Sequence, residues 1–569
     1  MAKKAAPARK KRAASPAAGA ASVQSLVKEL VDQFDQPLTF YRELIQNSID
    51  AGSNRIDVTL EYADGAALIR VRDDGEGMDE RIIDDYLLVL FSSSKEGDFT
   101  KIGKFGIGFV SVFAPRPDLV RVTTGKAGQS WRLDFPSYRK YEKYRLSEPR
   151  DGTLVELTKK MPREDFDRLA KDSRETLRYW CKHSESRIYF QVLGADPEPA
   201  LITEELDLEG GCSLRHTEEG TEILLGFTSD PEPPYGFYNR GLTLKEGRRA
   251  FFPGVTLKVK SRYLEHTLTR DNVLEDANYS KLMGCIRRLV SDELPGRLKI
   301  ELEDLAARLS KQGSERPVDR DALVAAWDRR LPFYKTLVSG LFGRWTRGDW
   351  DILPTLSGAP VSVAEVTNRL GLGKGRLYFD DAPNPVTAAL EAEGQPVLAS
   401  GPWVQEVCSL TKWEAAQASK TLISPRVVED PEPLKDFLGT VRMVDSRTGC
   451  KYRGILPASF DYPGSCIKDS LFVTQKRPGA LSHPSERGAG SLFSVKRFAL
   501  LNVDHPVTRD LNRLYRDKPG MAAYFCLKIM HLHDGEVAPD RKTEHCNIAE
   551  GLERRLLDLA TKIDGGFAP

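Results

Sequence analysis

A carboxylate, an amide and a second carboxylate, Glu43, Asn47 and Asp50, stand at i, i+4 and i+7 within FYRELIQNSIDAG, residues 40–52. On a 3.6-residue period they project in one direction from neighbouring helical turns. Such a set supplies a general base, a Mg²⁺ ligand and a supporting acceptor. Tyr41, Leu44, Ile45 and Ile49 fall mostly on the opposite side and would anchor the helix in a core. Ala51-Gly52 reads as the helix stop, because glycine takes the left-handed conformation needed past the last turn. Alone, the segment is better read as an amphipathic helix with a solvated polar face. The residues that follow reverse that reading.

Residues 55–62 (RIDVTLEY) and 67–72 (ALIRVR) alternate apolar and polar side chains as two half-buried strands, with Asp64-Gly65 between them as a hairpin turn. The second strand runs into Asp73-Asp74-Gly75-Glu76-Gly77-Met78. Glycines at 75 and 77 let backbone approach a planar ligand, and Asp73 can accept a hydrogen bond from an exocyclic amine. A Ca²⁺ loop would need further oxygen ligands at fixed offsets, and these are absent. Ser92-Ser93-Ser94-Lys95 opens a polar stretch that ends in IGKFGIGF, residues 102–109. Gly103, Gly106 and Gly108, interleaved with Lys104, Phe105, Ile107 and Phe109, read as a loop feeding a helix N-terminus that presents N–H groups to phosphates. The pattern is neither G-x-G-x-x-G nor a P-loop, and Gly371-Leu372-Gly373-Lys374-Gly375 also fails P-loop spacing. Gly152-Thr153 enters a further strand, with the Thr153 hydroxyl available to a ligand or water.

In this order and spacing, the four signals resemble the gyrase, heat-shock, histidine-kinase and mismatch-repair ATPase superfamily. RELIQNSIDAG, DDGEGM and IGKFGIGF are closest in wording to the heat-shock-protein-90 chaperones. The resemblance implies ATP and Mg²⁺ as ligands, Glu43 as general base, Arg42 in contact with that base, Asn47 on Mg²⁺ and Asp73 on the adenine amine. It implies Gly103, Gly106 and Gly108 as lid glycines over the phosphates and Thr153 near the adenine. Asp50, Gly75, Gly77, Met78, Lys95 and the side chains between the lid glycines complete the expected ATP-binding set. The departures are Lys104, where that family usually carries glutamine, and a short lid between Phe91 and Gly103.

Downstream, TLTRDNV (residues 267–273) resembles the middle-domain segment of the same chaperones, which implies that Arg270 reaches the γ-phosphate. An arginine suits that task because its permanent charge and fixed fork stabilise phosphate oxygens. Residues 277–309 have the spacing of a long connecting helix, and residues 351–407 read as helix, strand, helix, strand, a small α/β unit. Residues 420–487, rich in Pro and Gly, read as a boundary region with some strands. FALLNVDHP (498–506) resembles the strand and turn opening the last part of the chaperones' C-terminal domain. Helices at 520–533 and 548–563 follow, with Leu552, Leu556, Leu559 and Ile563 forming either a dimer face or core. The last residues, GGFAP, lack the acidic peptide of eukaryotic cytosolic members, so a compact bacterial-type chaperone is implied.

At 569 residues the chain exceeds one core, and 40% hydrophobic and 29% charged residues fit a globular protein. It has no apolar run of the ~18 residues that a membrane span needs. Residues 1–22 hold six Lys and Arg and no acid; removing those six from 83 leaves 77 against 82 acids, a mildly acidic body with a basic tail. Such a tail suits nucleic acid or an acidic partner, or serves only as a solubilising disordered arm. It lacks the apolar stretch of a secretory signal. Eight scattered cysteines without a C-x-x-C pair fit reduced thiols in a cytoplasmic protein, and His531-x-His533 with His545-Cys546 is too irregular for a zinc signature.

The expectation is therefore an α+β, α/β multidomain protein. Residues 1–22 form a tail and 23–198 a two-layer α/β sandwich (Bergerat-type) ATP-binding domain. Residues 199–415 form an α/β middle domain and 416–569 an α+β dimerisation domain. The implied function is an ATP-hydrolysing, homodimeric chaperone acting on protein clients. The alternatives are a nucleic-acid-associated ATPase of the same superfamily, repair- or gyrase-like, and a nucleotide-binding scaffold without turnover.

Overall fold

Helix α1, Phe40–Asp50, buries Tyr41, Leu44, Ile45 and Ile49, the apolar side predicted from spacing, together with Phe40, and stops where Gly52 turns to φ +74°. Strands β1 (Arg55–Ala63) and β2 (Ala66–Asp73) pair antiparallel from Ile56 opposite Asp73 to Ala63 opposite Ala66. Their turn has Asp64 at φ +52° and Gly65 at φ +76°, the mirror-image geometry that matches strand twist in two-residue hairpins. This computed structural model describes residues 37–88, 108–267, 272–311, 319–339, 348–370, 375–449, 452–484, 496–533 and 542–565. It divides into two compact units, Met1–Leu294 and Pro295–Pro569.

In the first unit β3 (Leu119–Lys126), β4 (Gln129–Ser137), β5 (Lys140–Leu146), β6 (Gly152–Lys160), β7 (Arg187–Val192) and β8 (Ala200–Leu201) complete an eight-stranded sheet ordered β5-β4-β3-β6-β2-β1-β7-β8. Only the β1–β7 pairing in it is parallel. Ile56, Val58 and Leu60 of β1 and Ala67, Ile69 and Val71 of β2 are buried at every second position, so one sheet face carries the core. Helices α1 and α2 (Arg163–Cys181) lie on that face, sharing a core with it and joined by the Tyr41 hydroxyl donating to Ser173 Oγ at 3.0 Å. Leu177, fully buried there, is a site where truncation to alanine costs ~2–5 kcal/mol.

A second sheet, β9 (Leu214–Glu218), β10 (Thr221–Phe227), β11 (Pro234–Asn239), β12 (Leu242–Arg248) and β13 (Val255–Ser261), is ordered β12-β11-β13-β10-β9, leaving β9 at an edge. Helix α3 (Ala277–Arg288) follows, its N-cap Asp276 accepting from the Tyr279 N–H. The helical run expected over 277–309 continues as a π turn, Leu289–Glu293, and α4, Leu294–Ser310. Pro295 has no N–H for the residue 291 carbonyl, a physical reason for the turn to widen just before it.

The second unit holds α5 (Arg320–Ser339), α6 (Val363–Leu370), β14 (Arg376–Asp380), α7 (Pro385–Ala392), β15 (Leu398–Ala399), α8 (Pro402–Thr411) and β16 (Glu414–Gln417). The three strands form a parallel sheet ordered β15-β14-β16, the small α/β unit expected from the helix–strand alternation. Strands β17 (Arg426–Val427), β18 (Gly454–Ser459), β19 (Phe472–Gln475) and β20 (Phe498–Asn502) make a last sheet, with α9 (Lys435–Thr448), α10 (Pro506–Tyr515), α11 (Pro519–His533) and α12 (Lys542–Asp564). Helix α9 lies inside the stretch read as a boundary region. Leu556 is buried in the core formed with α9 and α11, and Leu552, Leu559 and Ile563 are partly buried against it. The observed mixture of a large mixed sheet, a parallel unit and helical layers is the multidomain α/β class that the sequence implies.

Among the described residues no helix is long and apolar enough to cross a membrane, and Cys181, Cys212, Cys285, Cys408, Cys466 and Cys526 are free thiols. The side chains of His533, His545 and Cys546, and residues Gly371–Lys374, lie outside the described residues.

Candidate active site

The site is built on the end of β2 and the helix α1 that crosses the sheet face. Asp73 closes β2 with a half-buried carboxylate: its Oδ1 accepts from the Gly75 N–H at 3.0 Å and the Thr153 N–H at 3.1 Å, and its Oδ2 accepts from Ser48 Oγ at 3.0 Å. Burial raises its pKa above the ordinary carboxylate value, and the hydrogen bonds from Gly75, Ser48 and Thr153 oppose that shift. The carboxylate is thus held in place while remaining able to accept from a ligand N–H donor.

Around it, Thr153 Oγ1 and Thr124 Oγ1 are 3.0 Å apart, and Thr124 Oγ1 accepts from the Met78 N–H at 2.9 Å. The loop after β2 is thereby tied to β3 and β6. Gly77 sits at φ +65° with its Cα against the Gly125 carbonyl, where any Cβ would overlap backbone. Asp74 accepts from Ser53 Oγ at 2.7 Å and from the Asn54 and Arg55 N–H groups, fixing the loop to the start of β1.

One and a half turns before Ser48, Glu43 is 8% exposed, so it lies in the wall of the site rather than on a solvated face. Gly108 packs directly on it, and a Cβ at 108 would overlap the Glu43 carboxylate. Arg42 is buried beneath Trp180, its guanidinium 4.6 Å from the ring centroid. Burial lowers Arg42 to about 10, against the opposing influence of Cys181 and Tyr179. Asn47 is half-buried between Glu43 and Asp50 along the helix. Its amide oxygen is a hard donor of the kind Mg²⁺ prefers. Asp50 Oδ1 receives Gln46 Nε2 at 3.3 Å and an ion pair from Arg240 at 2.9 Å, the latter from the turn between β11 and β12. Phe109 is a core residue, its ring 5.8 Å from that of Phe135.

The structure thus brings Asp73, Gly75, Gly77, Met78 and Thr153 into one cluster and sets Glu43 against Gly108. Lys95, Gly103, Lys104, Phe105, Gly106, Ile107 and Arg270 lie outside the described residues. Ser48, Thr124 and Arg240 were not singled out from sequence. Ser48 was within reach of that reading, being one residue past Asn47 on the same helix; Thr124 and Arg240 have no local signature.

Residues 41–176 match the family of histidine kinase-, DNA gyrase B- and HSP90-like ATPases, and this part of the chain is a domain of that superfamily. The DNA mismatch repair protein MutL of Pseudomonas aeruginosa is 35% identical over 108 residues, 18% of this chain and 16% of its own length. MutL of Pseudomonas putida is 32% identical over 130 residues, 20% of each chain. MutL of Chromohalobacter salexigens is 54% identical over 46 residues, 8% of this chain and 7% of its own. The chain spans a fifth or less of the length of these curated relatives. They therefore speak to the superfamily, and their names are those of repair proteins rather than of the chaperones that the motif wording resembles.

Proposed function

We infer that this chain hydrolyses ATP with Mg²⁺ and uses the cycle to change its own conformation, as a repair-type, nucleic-acid-associated ATPase. The observation that carries the ATPase reading is the presence of two differently placed carboxylates: Asp73, half-buried and held by three donors, and Glu43, walled in beneath Gly108. In this reading Asp73 accepts the adenine amine, with Thr153 beside it. The backbone through Gly103, Gly106 and Gly108 takes the phosphates, with Lys95 and Lys104 nearby. Glu43 takes the proton of the attacking water, and Arg42 holds the helix that carries it. Mg²⁺, held through the Asn47 amide oxygen, would neutralise phosphate charge. Arg270 is proposed to reach the γ-phosphate.

The names of the relatives support the nucleic-acid side of this reading, and the basic stretch at residues 1–22 offers a phosphate-binding arm. A second reading, a homodimeric chaperone with protein clients in the cytoplasm, is favoured by the parallel α/β unit followed by β20 and a helix opening at Pro506, the succession that the resemblance implies. The two part on measurement: DNA-stimulated hydrolysis with steep salt dependence belongs to the first, suppression of client aggregation without a DNA effect to the second.

The first test is Glu43→Gln. ATP binding by calorimetry is expected to persist while steady-state hydrolysis drops ~10²–10⁴-fold, the usual worth of a general base. Unchanged hydrolysis would remove Glu43 from the chemistry, and absence of binding in the wild type would remove the ATPase reading altogether.

A further inference from the structure

Away from the nucleotide layer, the edge strand β9 and helix α3 bring three metal-ligating side chains together. His216 and Glu218 are at i and i+2 of β9, opposite Ile223 and Thr221 of β10, so they share one face of the strand. Cys285 comes from α3, whose Leu282 and Ile286 are the buried positions on either side of it. The imidazole nitrogen, the carboxylate oxygen and the thiol sulfur all lie within 4.8 Å of one another.

His216 Nε2 is buried and has no hydrogen-bond partner; Glu218 Oε2, at 4.0 Å, is too far to be one. A buried polar atom without a partner is destabilising, so the position calls for a ligand. Cys285 Sγ accepts from Arg288 Nη2 at 3.8 Å.

We propose that His216, Glu218 and Cys285 form a three-ligand site for a zinc-class divalent cation that clips the edge strand β9 to helix α3. Imidazole, carboxylate and thiolate together suit Zn²⁺, while thiolate and imidazole are poor ligands for Mg²⁺, so the site is chemically separate from the Mg²⁺ of nucleotide hydrolysis. Bonds of about 2.0–2.3 Å in a tetrahedron set ligand atoms ~3.5 Å apart. From within 4.8 Å the three atoms need side-chain adjustments of about an ångström to reach that spacing, and Glu218, 70% exposed, has room to make its share. Three protein ligands leave the fourth position to water. The clip fastens an edge strand that is otherwise hydrogen-bonded on one side, to β10.

The experiment uses the full chain stripped with a chelator, then titrated with Zn²⁺ against a chromophoric competitor and separately with Co²⁺. One equivalent is expected, with a thiolate-to-cobalt charge-transfer band that disappears in Cys285→Ser and persists in Cys212→Ser. Glu218→Gln, on an exposed side chain, should keep its circular dichroism and lose zinc affinity by ~100-fold or more, beyond the 10–100-fold worth of an outer-sphere partner. Zinc should raise the melting midpoint of the wild type and not that of Glu218→Gln. A charge-transfer band that survives Cys285→Ser, zinc affinity unchanged in Glu218→Gln, or no binding by the wild type overturns the site.

Discussion

The two ends of helix α1 are held in opposite ways. At the start, Arg42 and Glu43 are 4% and 8% exposed, one beneath Trp180 and the other beneath Gly108. At the far end Asp50 is exposed and joined to Arg240 across 190 residues of sequence by an ion pair of 2.9 Å. The buried end can keep a carboxylate in one geometry without reorganisation during reaction, which is what electrostatic preorganisation requires. The exposed end connects α1 to the second sheet by a contact that is weak enough to break. One helix thus joins a fixed chemical end to a releasable mechanical end.

The fixed end is the more sensitive. Gly108→Ala places a methyl where the Glu43 carboxylate stands, and a displacement of about 1 Å at a reacting group costs ~10²-fold in rate. Steady-state hydrolysis should drop by that order with ATP affinity nearly intact. A variant that turns over at the wild-type rate would mean that the carboxylate is not held as argued.

Asp73→Asn removes a charged acceptor and should weaken ATP binding ten- to a hundredfold, ~1.5–3 kcal/mol. A linked effect has a definite sign. Asp73 is the stronger acceptor when ionised, and burial raises its pKa in the folded chain. Affinity should therefore fall on acidification at a pH above the ordinary carboxylate range, and this acid limb should be missing in Asp73→Asn. Calorimetry across the acid range checks both; identical profiles would take Asp73 out of the site.

What was legible in the sequence follows the range of the interactions. The β1–β2 hairpin, the α1 core face and the end of α1 rest on neighbours within a few residues, and alternation, helical spacing and Asp-Gly or Ala-Gly signals expose them. Ser48 escaped because its hydroxyl divides between the Leu44 carbonyl and Asp73 Oδ2, and only folding shows the second partner. Thr124 joins Met78 and Thr153 from a distant strand, and Arg240 meets Asp50 from another sheet; spacing says nothing of either. Helix α9 was legible and was missed: Phe437, Leu438, Val441 and Val444 are buried at helical spacing, but Pro431, Pro433 and Gly439 gave the segment the look of a loop.

His183 sharpens the comparison at the releasable end. It follows α2, packs edge-on against Tyr238 with ring centroids 4.9 Å apart, and stands beside the turn that carries Arg240, where the Glu185 N–H donates to the Arg240 carbonyl at 3.2 Å. Burial lowers the imidazole from 6.5 to about 4. Above pH 6.5 it is neutral in both folded and unfolded chain, so it adds no pH dependence. Between pH 6.5 and about 4 the unfolded chain takes a proton that the folded one refuses, and stability is lost as pH falls. His183→Gln should flatten that part of the melting-midpoint profile by the equivalent of ~3 kcal/mol at its acid end. Parallel profiles for the two proteins would show that His183 protonates without strain.

The smallest effect expected is at the ion pair itself. Arg240 and Asp50 side chains are 36% and 28% exposed, so solvent screens them and the pair contributes ~0.2–1 kcal/mol. Arg240→Ala should leave ATP affinity within a few-fold and melting little changed. Its informative readout is the cycle with Asp50→Asn, measured on hydrolysis rate at low and high salt. If the pair transmits between helix and sheet, each single variant shifts the rate, the double variant shifts it no further, and high salt erases the difference. If the two effects simply add at both salt concentrations, the sites are independent. The second sheet would then read the nucleotide through some other contact, and α1 would be uniformly a scaffold rather than a helix with one fixed and one releasable end.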